Sequence, residues 1–320
     1  MNGTPPVAVC IAGPTASGKT DLALKLATHL PVEIISVDSA MVYRYMDIGT
    51  AKPSAVIRAQ VPHHLIDIRE PWQRYSAGMF RSDALALIPR IVAAGRLPVL
   101  VGGTGLYFRV LQRGLARLPE ADPAVRAQLD AEARERGWPA LHRELADVDP
   151  DAAARIQPAD AQRIQRALEV YRLTGMPISR LQRGENSPPG IRFVSFALLP
   201  GDRQALHARI EQRLHAMLDA GFVDEVSALL ARPEMQADMP SLRAVGYRQI
   251  VQYLRGECDL DEAVRRAVVA TRRYAKRQFT WLKSEPDFQP IDSTSPDALG
   301  TVLAAVRNCA GFGALSNASR

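Results

Sequence analysis

The feature that constrains this chain most is an apolar strand pattern that runs directly into a phosphate-binding motif. Residues 7–12 are apolar throughout, and residues 13–20, Gly-Pro-Thr-Ala-Ser-Gly-Lys-Thr, fit the pattern G-x-x-x-x-G-K-[ST]. A helical pattern follows over residues 19–29. Backbone N–H groups of such a loop and the positive end of the following helix form a cradle for anions. The motif therefore predicts a site for a ligand that carries a diphosphate or triphosphate.

The first 112 residues alternate strand and helix patterns, as a parallel sheet with covering helices does. Strands are predicted at residues 33–37 and 97–101, with a polar loop through Pro62, His63 and His64 and a helix at 76–94 between them. We therefore expect an α/β fold whose core is a parallel sheet like that of the P-loop NTPases.

The pattern changes after residue 112. Residues 113–190 contain successive helical windows with Pro or Gly stops, which predicts an all-helical insertion domain. A strand at 192–199 resumes the sheet, and three helical segments follow to about residue 284. We divide the chain into a first core part (1–112), the insertion (113–190), a second core part with basic C-terminal helices (191–308) and a flexible tail (309–320).

Cysteine usage and hydropathy limit the class of protein. The chain has three cysteines, Cys10, Cys258 and Cys309, in no Cys-x-x-Cys pair, which argues against a disulfide framework or a zinc site. No apolar run approaches the roughly 18 residues of a membrane span, and the first residues lack a signal-peptide pattern. We expect a soluble, cytoplasmic monomer that binds no membrane.

The net charge of +6 is concentrated near the C-terminus. Residues 243–283 contain ten basic and four acidic side chains, so this stretch carries the whole surplus. Arginine, which dominates there, suits bidentate contacts with phosphate. A compositional bias of the genome is an equally good explanation of the arginine content.

Two polar residues are predicted to face the phosphate loop. Asp38 follows the second strand, Thr104 follows the strand at 97–101, and ligands of open α/β sheets bind at this carboxyl edge. The pair suits proton removal from a nucleophile, with Asp38 as general base and Thr104 as the orienting group. Helix capping is the alternative role for both side chains, and an outer-sphere Mg²⁺ contact is a further one for Asp38.

Further blocks of sequence carry a resemblance to a known family. They are Asp38-Ser39 with residues 42–44, and residues 47–53, 62–67, 101–107, 243–249 and 276–282, in this order. Together with the phosphate loop, they resemble the bacterial tRNA dimethylallyltransferases, also called tRNA isopentenyltransferases. The resemblance implies transfer of a dimethylallyl group from dimethylallyl diphosphate to N6 of the adenosine 3′ of the tRNA anticodon, with release of diphosphate.

The resemblance also implies roles for individual residues. Asp38 matches the family's base and Thr104 its partner at the reacting centre, while Thr20 would bind Mg²⁺, the expected cofactor. Residues expected to bind the donor diphosphate are Gly13, Pro14, Thr15, Ala16, Ser17, Gly18, Lys19, Thr20 and Arg213.

Contacts with the tRNA anticodon stem-loop are likewise implied by the resemblance. The expected residues are Asp38, Ser39, Ala40, Met41, Thr104, Arg126, Gln162, Arg163, Ile164, Gln165, Arg166, Arg243, Ala244, Val245, Gly246, Tyr247, Arg248, Lys276, Arg277, Gln278, Phe279, Thr280, Trp281, Leu282 and Lys283. Met41 departs from the family, where Gln or Leu is expected. His63 and His64 fit loop structure better than metal binding, because no helical pair or cysteine partner accompanies them.

Two other classes of function fit part of the pattern. A small-molecule kinase would bind ATP in the same loop and use the helical insertion as a lid. A non-catalytic RNA-binding switch would sense a nucleotide there, but it has no use for a base opposite its phosphate site.

Overall fold

A computed structural model describes residues 5–116, 118–183, 189–236 and 239–309. The chain divides into two compact units, one formed by Met1–Gln112 with Pro189–Arg320 and the other by Arg113–Pro188. Of the predicted tail only Cys309 is among the described residues, and it is buried. Residues 310–320, which make up the rest of that prediction, lie outside them.

A six-stranded parallel sheet forms the centre of the first unit, in the order β3-β2-β4-β1-β5-β6. Its strands are β1 (Val7–Ala12), β2 (Val32–Val37), β3 (His63–His64), β4 (Leu97–Gly102), β5 (Arg192–Leu199) and β6 (Phe288–Asp292). Every residue of β1 and β4 is buried, as strands covered by helices on both faces require. The predicted parallel α/β core is therefore confirmed.

Helices cover both faces of this sheet. The helices of this unit are α1 (Lys19–Ala27), α2 (Ala55–Gln60), α3 (Ala77–Ala93) and α4 (Gly105–Arg113) before the second unit, and α10 (Arg203–Asp219), α11 (Phe222–Leu230), α12 (Tyr247–Leu254), α13 (Leu260–Lys283) and α14 (Ala298–Arg307) after it. Among them, α11 and α12 pack in a cluster of their own, and α2 buries no residue. On one face Phe80 and Phe108 pack with Leu100, and on the other Leu26 and Val302 belong to a second cluster. Truncating a buried ring such as Phe108 to Ala costs about 3–5 kcal/mol.

Several elements differ from the sequence-based prediction. Helix α2 and strand β3 lie where a polar loop was predicted. They could not be recognised from the sequence, because neither carries a buried apolar stripe. Strand β6 and helix α14 were not predicted, and Pro290 in β6 suits an edge strand. The three helical segments predicted up to residue 284 are four α-helices and a 3₁₀ turn, Pro240–Arg243.

Within its described residues, the second unit has helices and connecting loops but no strand. Its helices are α5 (Pro123–Arg136), α6 (Trp138–Val148), α7 (Pro150–Ala153), α8 (Ala161–Thr174) and α9 (Ile178–Gln182). Leu129, Leu141, Ile164 and Leu168 form its own core. Burial of these apolar side chains gives the unit an independent source of stability.

No helix within the described ranges is both long enough and apolar enough to cross a bilayer.

Candidate active site

Three strand ends meet at the carboxyl edge of the sheet and bring the predicted residues together. Strand β1 leads into the phosphate loop, β2 leads to Asp38, and β4 leads to Thr104. The Gly13 N–H donates to the Gly102 carbonyl at 3.2 Å, and the Thr104 N–H donates to the Val37 carbonyl at 3.2 Å. These backbone bonds fix the loop, Asp38 and Thr104 relative to one another.

The phosphate loop has the geometry that its sequence requires. Gly18 has φ +85°, a left-handed conformation that glycine adopts without strain, and α1 begins at the next residue. The Lys19 ammonium donates to the Pro14 carbonyl at 3.2 Å. Burial lowers the pKa of Lys19 to about 8, with the charge of Asp38 opposing and that of Arg213 adding to the shift. Lys19 is therefore still mostly charged near pH 7, and a bound anion would raise its pKa again.

Two residues from distant parts of the chain reach the loop. Arg213, on α10, donates to the Thr15 hydroxyl, and burial lowers the pKa of its guanidinium while Asp38 opposes the shift. Gln278, on α13, accepts from the Thr15 N–H at 2.9 Å and donates to the Gly103 carbonyl at 3.0 Å. Its amide therefore joins the phosphate loop to the end of β4.

Asp38 is held in a turn through one oxygen. Its Oδ1 accepts from the N–H groups of Ala40 at 2.8 Å and Met41 at 3.2 Å, and no described residue donates to Oδ2. Residues 38–41 are not helical, so Asp38 is not a helix cap. The second oxygen is available to accept a proton.

Thr104 directly precedes α4 but does not cap it with its side chain. The Tyr107 N–H bonds to the Thr104 carbonyl at 2.9 Å. The buried Thr104 hydroxyl has no hydrogen bond of normal geometry among the described residues, and the Tyr274 phenol lies near it. A buried polar group without a partner is costly, so this hydroxyl is suited to a ligand.

Tyr274, on α13, was not predicted from the sequence. Burial is the first cause that raises the pKa of its phenol, and the charge of Asp38 adds to it, while Thr104 and Gln278 oppose the shift. The phenol is therefore neutral near pH 7 and lies close to both predicted catalytic residues. Its helical position gives no signal in the sequence, because an isolated tyrosine on a basic helix is ordinary.

Two cavities adjoin at Asp38. The smaller, about 110 Å³, is lined by Lys19, Thr20 and His63, and the larger, about 300 Å³, by Arg243, Tyr274 and Arg277 among others. Both include Thr15, Asp38, Thr50 and Arg213 in their walls. We name them the loop cavity and the acceptor cavity. One carboxylate, that of Asp38, thus lies in the walls of both cavities.

The two adjacent histidines of β3 have different surroundings. His64 Nε2 lies 2.6 Å from a Glu33 carboxylate oxygen, whereas His63 Nδ1 lies 2.6 Å from the Val61 carbonyl. His63 Nε2 is buried without a partner among the described residues, and burial lowers the pKa of this ring. Within the described ranges no cluster of three or more His, Cys, Asp or Glu side chains is arranged to hold a metal ion.

The loop at residues 47–53 is anchored by a carboxylate that the sequence analysis did not identify. Glu225, on α11, accepts from the N–H groups of Asp47 and Ile48, both at 2.7 Å, and from the Tyr247 hydroxyl at 2.6 Å. Lys52 forms ion pairs with Asp47 and Asp67 at 2.6 Å. These bonds hold in place the segment that contributes Thr50 to both cavities.

The residues predicted to contact RNA in the first unit differ in exposure. Exposed ones are Ser39, Arg243, Arg248, Lys276, Arg277, Thr280 and Lys283, and half-buried ones are Asp38, Ala40, Met41, Thr104, Ala244, Val245, Phe279 and Trp281. Gly246, Tyr247, Gln278 and Leu282 are buried. The side chains of the buried group hold the fold, as the packing of Tyr247 against Phe222 illustrates.

Two of the predicted RNA residues of the second unit, Arg126 and Arg166, bind a buried carboxylate. Glu169 is fully buried and accepts from Arg126 at 2.8 Å and Arg166 at 2.6 Å. Burial raises the pKa of Glu169, but the hydrogen bonds from both arginines outweigh it, so the net pKa is lowered. Gln165 donates to Asp130 at 2.7 Å, Gln162 and Arg163 are exposed, and Ile164 is buried.

Comparison with known proteins places the chain in a family. The IPP transferase family model matches residues 41–285. The tRNA dimethylallyltransferase of Bordetella parapertussis is 56% identical over 306 residues, covering 95% of this chain and 98% of its own length. That of Stenotrophomonas maltophilia is 57% identical over 293 residues, covering 90% and 92%.

Comparison with solved structures indicates the same family. A tRNA isopentenylpyrophosphate transferase from Bacillus halodurans superposes with a TM-score of 0.69 at 38% identity, covering 98% of each chain. A eukaryotic dimethylallyltransferase acting on tRNA gives a TM-score of 0.77 at 25% identity, covering 93% of this chain and 77% of its own. The chain belongs to the tRNA dimethylallyltransferase family of prenyltransferases.

Proposed function

We propose that this protein transfers the dimethylallyl group of dimethylallyl diphosphate to N6 of the adenosine 3′ of the anticodon in tRNA. The observation that carries the proposal is the position of Asp38 in the walls of both cavities. The loop cavity has the groups that bind a diphosphate, and the acceptor cavity has room and positive charge for a nucleotide of an RNA strand. Asp38 lies where the two substrates would meet.

The donor's diphosphate would bind the N–H groups of the loop, the ammonium of Lys19 and the guanidinium of Arg213. Negative charge grows on this group as the C1–O bond breaks, and one preorganised donor at such a position is worth about 3 kcal/mol. Lys19 is held beside the loop by the Pro14 carbonyl and Arg213 by Thr15, so little reorganisation is needed.

On the acceptor side, the N6 lone pair forms the new bond to C1 while the electrons of the C1–O bond leave with the diphosphate. The proton on N6 passes to Asp38 Oδ2, because Oδ1 already accepts two backbone bonds. The Thr104 hydroxyl would accept from or donate to the exocyclic amine and orient it. A base is required because the amine's lone pair is delocalised into the adenine ring.

The residues present fit a Mg²⁺ ion at the loop. Thr20 and Asp38 both line the loop cavity, and oxygen atoms are the ligands that Mg²⁺ prefers. Mg²⁺ commonly takes one or two protein ligands together with substrate phosphates, which agrees with the sparse donor set here. Thr20 would bind the ion directly, and the bound ion would neutralise charge on the departing diphosphate.

The tRNA anticodon stem-loop would present its adenosine out of the base stack, at a cost of a few kcal/mol. In the first unit, exposed Arg243, Arg248, Lys276 and Lys283 would supply compensating phosphate contacts. In the second unit, Arg126 and residues 162–166 are proposed to bind the same substrate. We also propose that the enzyme acts as a monomer, in the cytoplasm.

Labelled donor tests this function against the kinase alternative. The protein is incubated with an anticodon stem-loop, Mg²⁺ and dimethylallyl diphosphate labelled in the C5 unit, with and without ATP. The proposal expects RNA that gains one C5 unit, release of diphosphate and no consumption of ATP. Unmodified RNA together with hydrolysis of ATP would instead support a kinase.

A further inference from the structure

A third groove, which adjoins the acceptor cavity, lies along α12 and α13. Its volume is about 590 Å³, and its charged lining residues are Arg248, Glu262, Arg265, Arg266, Arg273 and Arg277. We name it the arginine groove. Glu262 offsets part of this charge, since it pairs with Arg265 at 2.8 Å and Arg266 at 2.7 Å. A net positive charge remains, and it is greatest toward Arg273 and Arg277.

Three arginines of this groove have no acidic partner within the described ranges, although Arg277 lies over the Tyr274 ring. Arg248, Arg273 and Arg277 are exposed, and none of them forms an ion pair with any described residue. Arg273 and Arg277 are four residues apart on one helix, an arrangement of like charges that destabilises the helix. Charges placed at such a cost are suited to a ligand of opposite sign.

The length of the groove distinguishes an extended polyanion from a small one. Arg265 and Arg277 are separated by twelve residues of α13, which is about 18 Å along the helix axis. A single diphosphate contacts only part of that distance. Planar guanidinium groups spaced along a helix suit successive phosphates of one strand.

The groove is continuous with the acceptor cavity. Val245 and Arg277 line both spaces, so a strand that inserts a nucleotide beside Asp38 continues into the groove. We propose that the arginine groove binds the backbone phosphates of the tRNA strand next to the modified nucleotide, through Arg265, Arg266 and Arg273 as well as Arg248. This inference rests on the proposed function and adds binding residues to those expected from the family resemblance.

The test compares two charge-removing variants in the full-length protein. Arg265→Gln/Arg273→Gln removes two cations of the groove, and Arg307→Gln removes an exposed one at the end of α14, outside all three cavities. Affinity for the anticodon stem-loop is measured from low to high salt. Each lost phosphate contact flattens the dependence of log affinity on log salt by about 0.7 for single-stranded RNA. For the groove variant, which loses two contacts, we expect a slope of log affinity against log salt that is about 1.4 less steep than that of wild type. For Arg307→Gln we expect the wild-type slope.

A second arm locates the contacts on the RNA. Stem-loops with one neutral methylphosphonate each are bound to wild type and to the groove variant. At one or two phosphate positions beside the modified adenosine, we expect the methylphosphonate to weaken binding to wild type but not to the groove variant. Equal losses in both proteins, or an unchanged salt slope, overturn the inference. Wild type that adds no C5 unit to the RNA instead overturns the proposed function, so the two failures are distinct.

Discussion

Gln278 hydrogen-bonds to the backbone of Thr15 at 2.9 Å, which joins the longest helix of the described chain to the phosphate loop across 263 positions of sequence. The same amide donates to Gly103 at the end of β4. Gln278 is buried, so these bonds do not compete with bulk water. The loop that is proposed to hold the donor is therefore positioned by a residue of the basic C-terminal helix.

Removing this amide should loosen the loop. Gln278→Ala leaves the half-buried Thr15 N–H and Gly103 carbonyl without their partner. A fully buried unsatisfied group costs about 1–3 kcal/mol, and a half-buried one costs less because water can reach it. We expect a lower free energy of unfolding in urea and about tenfold weaker binding of inorganic diphosphate in calorimetry. Gln289→Ala, an exposed glutamine of β6, is the control and should change neither value. Unaltered binding in Gln278→Ala would mean that the loop needs no such support.

Replacing the proposed base should affect turnover more than binding. Asp38→Asn keeps an oxygen that can accept from Ala40 and Met41 but removes the proton acceptor. Turnover with saturating substrates should fall by at least about 10²-fold, the usual scale of general acid–base catalysis. Affinity for the stem-loop should stay within a few-fold. Asp21→Asn, which alters an exposed residue of α1, serves as the control. Wild-type turnover in Asp38→Asn would contradict the assignment of Asp38 as general base.

Binding of diphosphate should depend on pH through Lys19. Burial lowers its pKa to about 8, so the ammonium is charged below that pH and neutral above it. Affinity should be highest below pH 8 and decline as the pH rises through 8. The ionisation of diphosphate itself affects both proteins equally, so its effect cancels when the dissociation constant of Lys19→Gln is divided by that of wild type. This ratio should be large at pH 7 and approach one well above pH 8, and a ratio that does not change with pH would contradict the role of Lys19.

The second unit should depend on its buried carboxylate. Glu169→Gln breaks the ion pairs with Arg126 and Arg166, and breaking a buried pair costs about 3–5 kcal/mol. Glu132→Gln, which alters the surface pair with Arg172, should cost less than about 1 kcal/mol in the same urea titration. Because the pKa of Glu169 is lowered, its contribution is present above the unfolded pKa and is lost as the pH falls through the folded one. Equal stability of the two variants at pH 7 would contradict this.

The sequence predicted most of the sheet because its strands are short apolar runs with clear boundaries. Strands β1 and β5 have the predicted limits, and β2 and β4 differ by one residue at one end. The two-residue β3 and the edge strand β6 were missed, since pairing in the sheet, rather than local pattern, makes them strands. The exposed helix α2 was missed for a similar reason, since none of its residues is buried.

Of the site, the parts adjacent to strand ends could be predicted, and those brought in by tertiary packing could not. Asp38 and Thr104 follow strands, so topology alone places them beside the loop. Tyr274 and Glu225 lie on helices far along the chain, and no local pattern marks either one. Gln278 lies in a block that was predicted to contact RNA, yet its amide oxygen accepts a hydrogen bond from the Thr15 N–H of the phosphate loop.

Helix α13 carries Gln278 at the donor loop, Tyr274 and Arg277 at the acceptor cavity, and Arg273 farther along the arginine groove. A regular helix is stiff along its axis, so restricting the motion of one part of it restricts the motion of the rest. RNA bound along α13 would therefore stabilise the loop that is proposed to hold the donor diphosphate. Each substrate would then bind more tightly in the presence of the other.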